Sequence, residues 1–111
     1  MPSKEEKQRR RKIVRALVEQ ERLNEEATMP LTKADLRALL ELLEETLFEH
    51  RADGTTWCYC DQTLKHTRAF LQERHLPLKK IIAWLKEYGG FCDCEVSANV
   101  GGIWAERVAE D

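Results

Sequence analysis

Apolar residues recur at helical spacing in four stretches of this chain, and in the first stretch they are few for its length. Residues 4–27 contain no glycine or proline, and their apolar side chains form a narrow stripe of i,i+4 pairs, Ile13 with Leu17 and Val14 with Val18. This pattern predicts a helix that packs against the rest of the protein only through its middle. We therefore expect residues 1–28 to form a charged, loosely packed helix.

The second stretch carries the broadest apolar stripe. Residues 29–31 interrupt the helical pattern at a proline, and Thr32 with Asp35 three residues later is typical of a capped helix start. An Asp-Gly pair at residues 53–54 indicates a loop. We predict a helix from Thr32 to about His50, whose apolar face consists of Leu36, Leu39, Leu40, Leu43, Leu47 and Phe48.

The third and fourth stretches are shorter. Asp61 or Thr63 is a candidate cap for a helix that ends near Arg74, and Pro77 suits the first turn of the next helix. Two glycines at residues 89–90 favour a left-handed stop. The inward positions are Leu64, Thr67, Phe70 and Leu71 in the third helix, and Leu78, Ile81, Ile82, Leu85 and Tyr88 in the fourth.

Together these stretches predict a mostly α fold, a small four-helix bundle whose helical core domain spans residues 29–111. Residues 91–100 alternate in polarity at first, so we expect there either a short strand or a tight turn into one helical turn. Residues 101–111 begin with two further glycines and predict no defined element. The central positions of three stripes are expected to be buried together: Leu40, Leu43, Leu71, Ile82 and Leu85.

Composition narrows the class of protein. The chain has 111 residues, enough for one domain, and is 42% hydrophobic and 34% charged, which argues against both global disorder and a membrane span. Its net charge of -2 predicts no bulk attraction to nucleic acid or anionic lipid. The start Met-Pro-Ser-Lys-Glu-Glu has no apolar signal region, so we expect a cytoplasmic protein.

All four cysteines lie in the second half of the chain, in two pairs of the same form. Cys58 and Cys60 precede Asp61, and Cys92 and Cys94 precede Glu95, so each pair reads Cys-x-Cys-acid. Side chains at i and i+2 of an extended backbone project to one side. Two such loops, brought together at one end of the bundle, would offer four thiolates to a tetrahedral zinc ion.

The ligand set and the chemistry of these cysteines stay open at this point. Cys60, Cys92 and Cys94 are the favoured ligands, with Cys58 as the fourth and His66, six residues after Cys60, as its substitute. Free buried thiols and a disulfide or redox couple are the alternatives, since isolated cysteines often behave as small apolar residues.

The second cysteine pair lies in a run that resembles a known family. Residues 89–96 read Gly-Gly-Phe-Cys-Asp-Cys-Glu-Val, and Ala-Asn-Val follows at residues 98–100. This run is similar to the signature of a bacterial family catalogued as domain of unknown function 2695, and the resemblance extends over about residues 57–100. It implies a small cytosolic bacterial protein and implies no reaction.

The remaining motifs favour structural roles. The basic run at residues 9–12 has no interleaved aromatic residue, which indicates a solvated helix end rather than a nucleic-acid site. Trp57, Trp84 and Trp104 are expected to fill the core near the cysteines rather than to line a ligand pocket. No glycine-rich phosphate loop or nucleophile-elbow serine is present in the sequence.

Three functions follow from these observations. The first is a non-enzymatic binding module with a structural metal, which binds a protein or a nucleic-acid partner, with a protein favoured over nucleic acid. The second is a thiol redox or sensor protein that uses the paired cysteines. The third is a metal-dependent hydrolase with fewer cysteine ligands, a bound water and Glu95 or Asp61 as the base.

Overall fold

The computed structural model describes residues 3–109 and confirms a mostly α fold. In chain order the elements are α1 Lys4–Ala27, α2 Lys33–Leu47, β1 Phe48–His50, β2 Thr56–Cys58, α3 Lys65–Glu73, α4 Leu78–Glu87, α5 Asp93–Glu95, a π-helical segment Val96–Val100, and α6 Gly101–Ala109. The last three elements run on without a break. The described residues therefore contain five helices rather than the predicted four.

The core forms around α2. Thr32 Oγ1 accepts a hydrogen bond from the Asp35 N–H at 3.0 Å, as the capping pattern predicted. Four of the predicted core residues are buried as expected: Leu43, Leu71, Ile82 and Leu85. Leu40 is only half-buried, because it lies against Gly101, which offers no side chain to cover it, on the wall of an open groove between α2 and α6.

The helix α2 ends at Leu47, three residues earlier than predicted. Residues 48–50 instead form β1, which pairs antiparallel with β2 in the register Phe48↔Cys58 and His50↔Thr56. Gly54, with φ +88°, lies in the connecting turn. Of the two alternatives for residues 91–100, the structure has the turn into a helix and not the short strand, and the hairpin leads into the first cysteine pair instead.

A continuous helix replaces that strand after the second cysteine pair. Its buried side chains recur every four residues, which is the spacing of one helix face. The two glycines at 101–102 adopt helical conformation and open α6, in a segment for which the sequence predicted no defined element. The buried residues of this face are Val96, Val100, Trp104 and Val108.

The turn after α4 sets the position of this helix. Gly89 has φ +86° and its N–H donates to the Lys86 carbonyl, while the Gly90 N–H donates to the Leu85 carbonyl at 2.9 Å, a Schellman motif. A Cβ on Gly90 would lie 2.9 Å from Cγ2 of Val96. The absence of a side chain at residue 90 therefore lets the segment that begins at Cys92 pack closely against the end of α4.

The helix α1 has the predicted bounds but not the predicted attachment. None of its residues is buried, and Ile13 and Leu17 in its middle are exposed. It is attached by its C-terminal end, where Arg107 donates to Glu25 at 3.0 Å and to the Arg22 carbonyl at 3.0 Å. The radius of gyration is 18.0 Å, against about 13 Å for a compact chain of this length. The middle of α1 thus projects from the domain.

The tryptophans divide between core and surface. Trp84 and Trp104 are buried and pack against each other with ring centroids 5.3 Å apart, as predicted. Trp57 is 52% exposed on β2, with the Arg51 guanidinium 5.3 Å from its ring centroid, so its predicted core position is wrong. Within residues 3–109, no helix combines the length and the apolar composition needed to cross a membrane.

Candidate metal centre

Three cysteine sulfurs from distant parts of the chain meet at one point. The sulfurs of Cys60, Cys92 and Cys94 all lie within 4.8 Å of one another, and those of Cys92 and Cys94 are 3.4 Å apart. No other group of three potential metal ligands occurs among residues 3–109 at this spacing. All the cysteines are free thiols in the structure.

Each sulfur is held by a different local structure. Cys60 follows β2, and the preceding residue Tyr59 is fixed by its N–H, which donates to the Leu47 carbonyl at 2.8 Å. Cys92 is extended, at φ -144° and ψ 170°, and stands at the N-terminus of α5. Cys94 lies within the first turn of that helix. The two Cys-x-Cys motifs are therefore not structurally equivalent, although their sequences match.

Asp93, between the two cysteines of the second motif, fastens the site to α3. Its side chain is buried and accepts hydrogen bonds from the His66 N–H at 3.0 Å, the Thr67 N–H at 3.0 Å and the Thr67 hydroxyl at 2.7 Å. Its own N–H donates to the Thr63 carbonyl at 2.9 Å. These contacts satisfy the first N–H groups of α3, the groups that a helix leaves without an internal partner.

The two predicted caps of α3, Asp61 and Thr63, form hydrogen bonds in the loop before the helix and at its first residue. Asp61 accepts hydrogen bonds from the N–H and hydroxyl of Thr63 and pairs with Lys65 at 3.4 Å, so it orders the loop rather than the helix. The Thr63 hydroxyl in turn accepts a hydrogen bond from the Lys65 N–H at 3.3 Å. The hydrogen bonds from Thr63 outweigh the effect of desolvation and lower the pKa of Asp61. A lowered pKa makes Asp61 a weak candidate for a general base.

The three thiols have different acidities. Desolvation alone would raise the pKa of Cys60. Its sulfur accepts hydrogen bonds from the N–H of Cys94 at 3.5 Å and from the N–H of Gln62 at 3.3 Å, and because these outweigh desolvation the pKa of Cys60 is lowered. Burial raises the pKa of Cys92, and raises that of Cys94 to about 12 with a further contribution from hydrogen bonds to Cys92 and Cys60. Three thiolates so close together repel one another, and a bound cation would offset that repulsion.

The other two predicted ligands lie outside this group. Cys58 is exposed on β2, and His66 is half-buried in α3, where its backbone N–H donates to Asp93. Neither brings a ligand atom within 4.8 Å of all three sulfurs. Glu95, which was not among the predicted ligands, also lies outside the three-sulfur group, but its Oε1 is 3.4 Å from the Cys92 sulfur. The only sequence signal for it is the acid that follows each cysteine pair.

The comparisons with known proteins match a part of the chain that contains the three-cysteine site. The profile of a family described as "Protein of unknown function (DUF2695)" matches residues 39–99, which is 61 of 111 residues. The chain belongs to this family. The DUF2695 match begins within α2, includes all four cysteines and leaves out α1.

Two relatives match over most of their length. The uncharacterized protein Rv2271 of Mycobacterium tuberculosis and the uncharacterized protein Mb2294 of Mycobacterium bovis are each 30% identical to this chain over 100 residues. Each match covers 90% of this chain and 93% of the relative. No solved structure matches this DUF2695 protein.

Proposed function

We propose that this DUF2695 protein is a non-enzymatic binding module whose fold is stabilised by a structural zinc ion held by Cys60, Cys92 and Cys94. The observation that carries the proposal is the convergence of these three sulfurs within 4.8 Å of one another. They come from two segments about 32 residues apart, so one ion would link the hairpin to the start of the C-terminal helix.

The spacing of the sulfurs is compatible with zinc. In a tetrahedral site with Zn–S distances of about 2.3 Å, neighbouring sulfurs lie about 3.8 Å apart. The Cys92 and Cys94 sulfurs, 3.4 Å apart, need to separate slightly, and the others, within 4.8 Å, need to approach. Rotation of the cysteine side chains supplies movements of this size.

The fourth ligand decides whether the site is closed. We assign it to Glu95, because a carboxylate oxygen and a sulfur on one zinc ion lie about 3.5 Å apart, and Glu95 Oε1 is 3.4 Å from the Cys92 sulfur. The Glu95 carboxylate lies outside the three-sulfur group and would turn toward Cys60 and Cys94 to complete the site. Cys58, the fourth ligand that the repeated motif suggested, would have to leave its exposed position on β2. With Glu95 as a ligand no coordination position is left for a hydrolytic water, which favours a structural role over a hydrolase.

Metal analysis of the reduced protein tests the proposal. We expect close to one zinc per chain, and a cobalt-substituted protein should show thiolate-to-cobalt charge-transfer absorption. Cys92→Ser and Glu95→Gln should each weaken metal retention, while Cys58→Ser, on an exposed sulfur outside the group, is the matched control. A reduced protein without metal would contradict the proposal. Loss of metal in Cys58→Ser alone would move the fourth ligand from Glu95 to Cys58.

A thiol redox protein is the second candidate, and one observation favours it. The lowered pKa of Cys60 favours its thiolate form beside two thiols whose pKa values are raised, an arrangement that also suits thiol–disulfide exchange. Titration of free thiols in the same sample distinguishes the two. Four titratable thiols after metal removal support the metal site, whereas two lost thiols without bound metal support the redox function.

The partner of the module is proposed to be a protein, and a reducing cytoplasm suits its free cysteines. Exposed aromatic residues adjoin the site in sequence: Trp57 and Tyr59 precede Cys60, and Phe91 precedes Cys92, each more than half exposed. Such residues are enriched where proteins bind proteins. Replacing Trp57 with Ala should then reduce capture of a protein partner without changing metal content.

A further inference from the structure

The middle of α1 carries an apolar patch that no other described residue of the chain covers. Each of its four side chains is 56–61% exposed, so together they present roughly 400 Å² of apolar surface, an area typical of interaction sites on soluble proteins. The patch consists of Ile13, Val14, Leu17 and Val18.

The charges on either side of this patch have opposite sign. Residues 4–15 contain seven basic and two acidic residues, whereas residues 16–27 contain one basic and four acidic residues. Two α1 helices side by side in parallel would place like charges against each other. In the antiparallel arrangement the basic half of each helix lies against the acidic half of the other, which is favourable and sets the orientation.

The residues along one face of α1 fit the antiparallel arrangement in detail. Positions 7, 10, 14, 17, 21 and 24 alternate spacings of three and four residues, as in the seam of a coiled coil. In an antiparallel pair centred between residues 14 and 17, Val14 faces Leu17 of the other copy and Arg10 faces Glu21. A parallel pair would instead place Arg10 against Arg10 and Glu21 against Glu21.

We propose that α1 is the interface of an antiparallel homodimer in which the apolar patch of one copy packs on that of a second copy. Two patches together bury about 800 Å² of apolar surface, and the stems of the flanking Lys and Arg side chains bring the total to the order of 1,200 Å², the lower end of specific interfaces. Arg107 fixes α1 at its C-terminal end only, so the patch stays accessible in each protomer.

Association of the full-length protein tests the proposal. Sedimentation equilibrium from about 1 μM to about 1 mM should show a dimer, and Leu17→Glu should shift the protein to monomer across that range. Because no residue of α1 is buried within the protomer, Leu17→Glu should leave the thermal unfolding of the domain in place. The matched control is Ile103→Glu, at an apolar residue on α6 that is 48% exposed, and it should leave the dimer intact.

Charge exchange tests the orientation. Arg10→Glu and Glu21→Arg should each raise the dimer dissociation constant by about tenfold or more, since each creates two repulsive contacts, and the double variant should restore it to within about threefold. A wild-type protein that remains monomeric up to about 1 mM would overturn the proposal, as would a dimer unaffected by Leu17→Glu. A double variant that dimerises no better than the single variants would exclude the antiparallel arrangement.

Discussion

The carboxylate of Asp93 caps the helix that contains Thr67, although the two residues are 26 positions apart. Asp93 accepts both the backbone N–H and the hydroxyl of Thr67, at 3.0 and 2.7 Å. Asp93 lies between Cys92 and Cys94 in the sequence, so its hydrogen bonds to α3 also hold these two cysteines in place. The cysteine cluster is thus fixed by a buried polar contact as well as by apolar packing.

We expect Asp93→Asn to lower the free energy of unfolding by about 2–3 kcal/mol. The asparagine amide has one oxygen, so it can replace the acceptor for the N–H of His66 or for that of Thr67, but not both. Its NH₂ group would then face the other backbone N–H in the interior. Urea denaturation followed by circular dichroism measures the change. Asp61→Asn, in which the altered carboxylate is exposed and serves only the loop before α3, is the control and should lower the midpoint much less. Equal midpoints for wild-type and Asp93→Asn proteins would show that the cap is not stabilising.

The leucines of α2 give a graded test of the core. Leu43 is fully buried, and Leu43→Ala should cost about 2–5 kcal/mol because it leaves a cavity. Leu40 is half-buried beside an open groove, so Leu40→Ala should cost about 1 kcal/mol. Chemical denaturation of both variants provides the comparison. A larger cost at Leu40 than at Leu43 would mean that the groove is closed in solution.

Sequence alone predicted the helices with clear stripes and start signals, namely α1 to α4. It missed the C-terminal helix because two glycines interrupt the i,i+4 series from Val96 to Val108, and the packing of four buried side chains outweighs the low helix propensity of those glycines. It also missed the hairpin, because Phe48 continues the apolar stripe of α2 by spacing although it belongs to β1. Tertiary pairing with β2 decides that segment.

The candidate site was partly accessible from sequence. The structure brings together Cys60, Cys92 and Cys94, the three cysteines that the motif and the family resemblance favoured, and whether they bind metal stays a prediction. The repeated motif could not show that Cys58 is exposed. The two motifs share the Cys-x-Cys spacing, but the first lies at the end of β2 and in the residues after it, and the second lies at the start of a helix. The spacing alone does not distinguish these two settings.

The end of α3 offers a stabilising substitution. His75 has φ 55°, the left-handed conformation. Its N–H donates to the Gln72 carbonyl at 3.1 Å, and the Leu76 N–H donates to the Leu71 carbonyl at 3.0 Å. This is a Schellman motif with a non-glycine residue in the left-handed position. His75→Gly should raise the free energy of unfolding by about 0.5–1 kcal/mol, because glycine adopts this conformation without steric cost.

The matched comparison is Gly89, the left-handed residue at the end of α4. Gly89→Ala should lower the free energy of unfolding by about 1 kcal/mol or more, since φ is +86° and the new Cβ would lie 3.0 Å from Nδ2 of Asn99. Thermal unfolding of the two variants side by side checks both signs. A destabilised His75→Gly protein would indicate that the imidazole itself makes a stabilising contact.

Removal of the proposed metal should destabilise the domain. An ion held by Cys60, Cys92 and Cys94 closes a loop of about 32 residues, and the unfolded chain has no preformed site, so its binding free energy adds directly to folding. A contribution of about 3 kcal/mol corresponds to a fall in Tm of roughly 10 °C or more for a domain of this size. Calorimetry of the reduced protein with and without a strong chelator measures this fall.

Two variants separate metal removal from other effects of the chelator. Cys92→Ser should have a Tm close to that of the chelated wild-type protein, and the chelator should then cause no further decrease, because the site is already lost. Cys58→Ser should melt like the wild type and keep its full response to the chelator. If Cys92→Ser instead melts like the wild type while remaining sensitive to the chelator, the bound ion lies elsewhere and the three-sulfur site does not hold it.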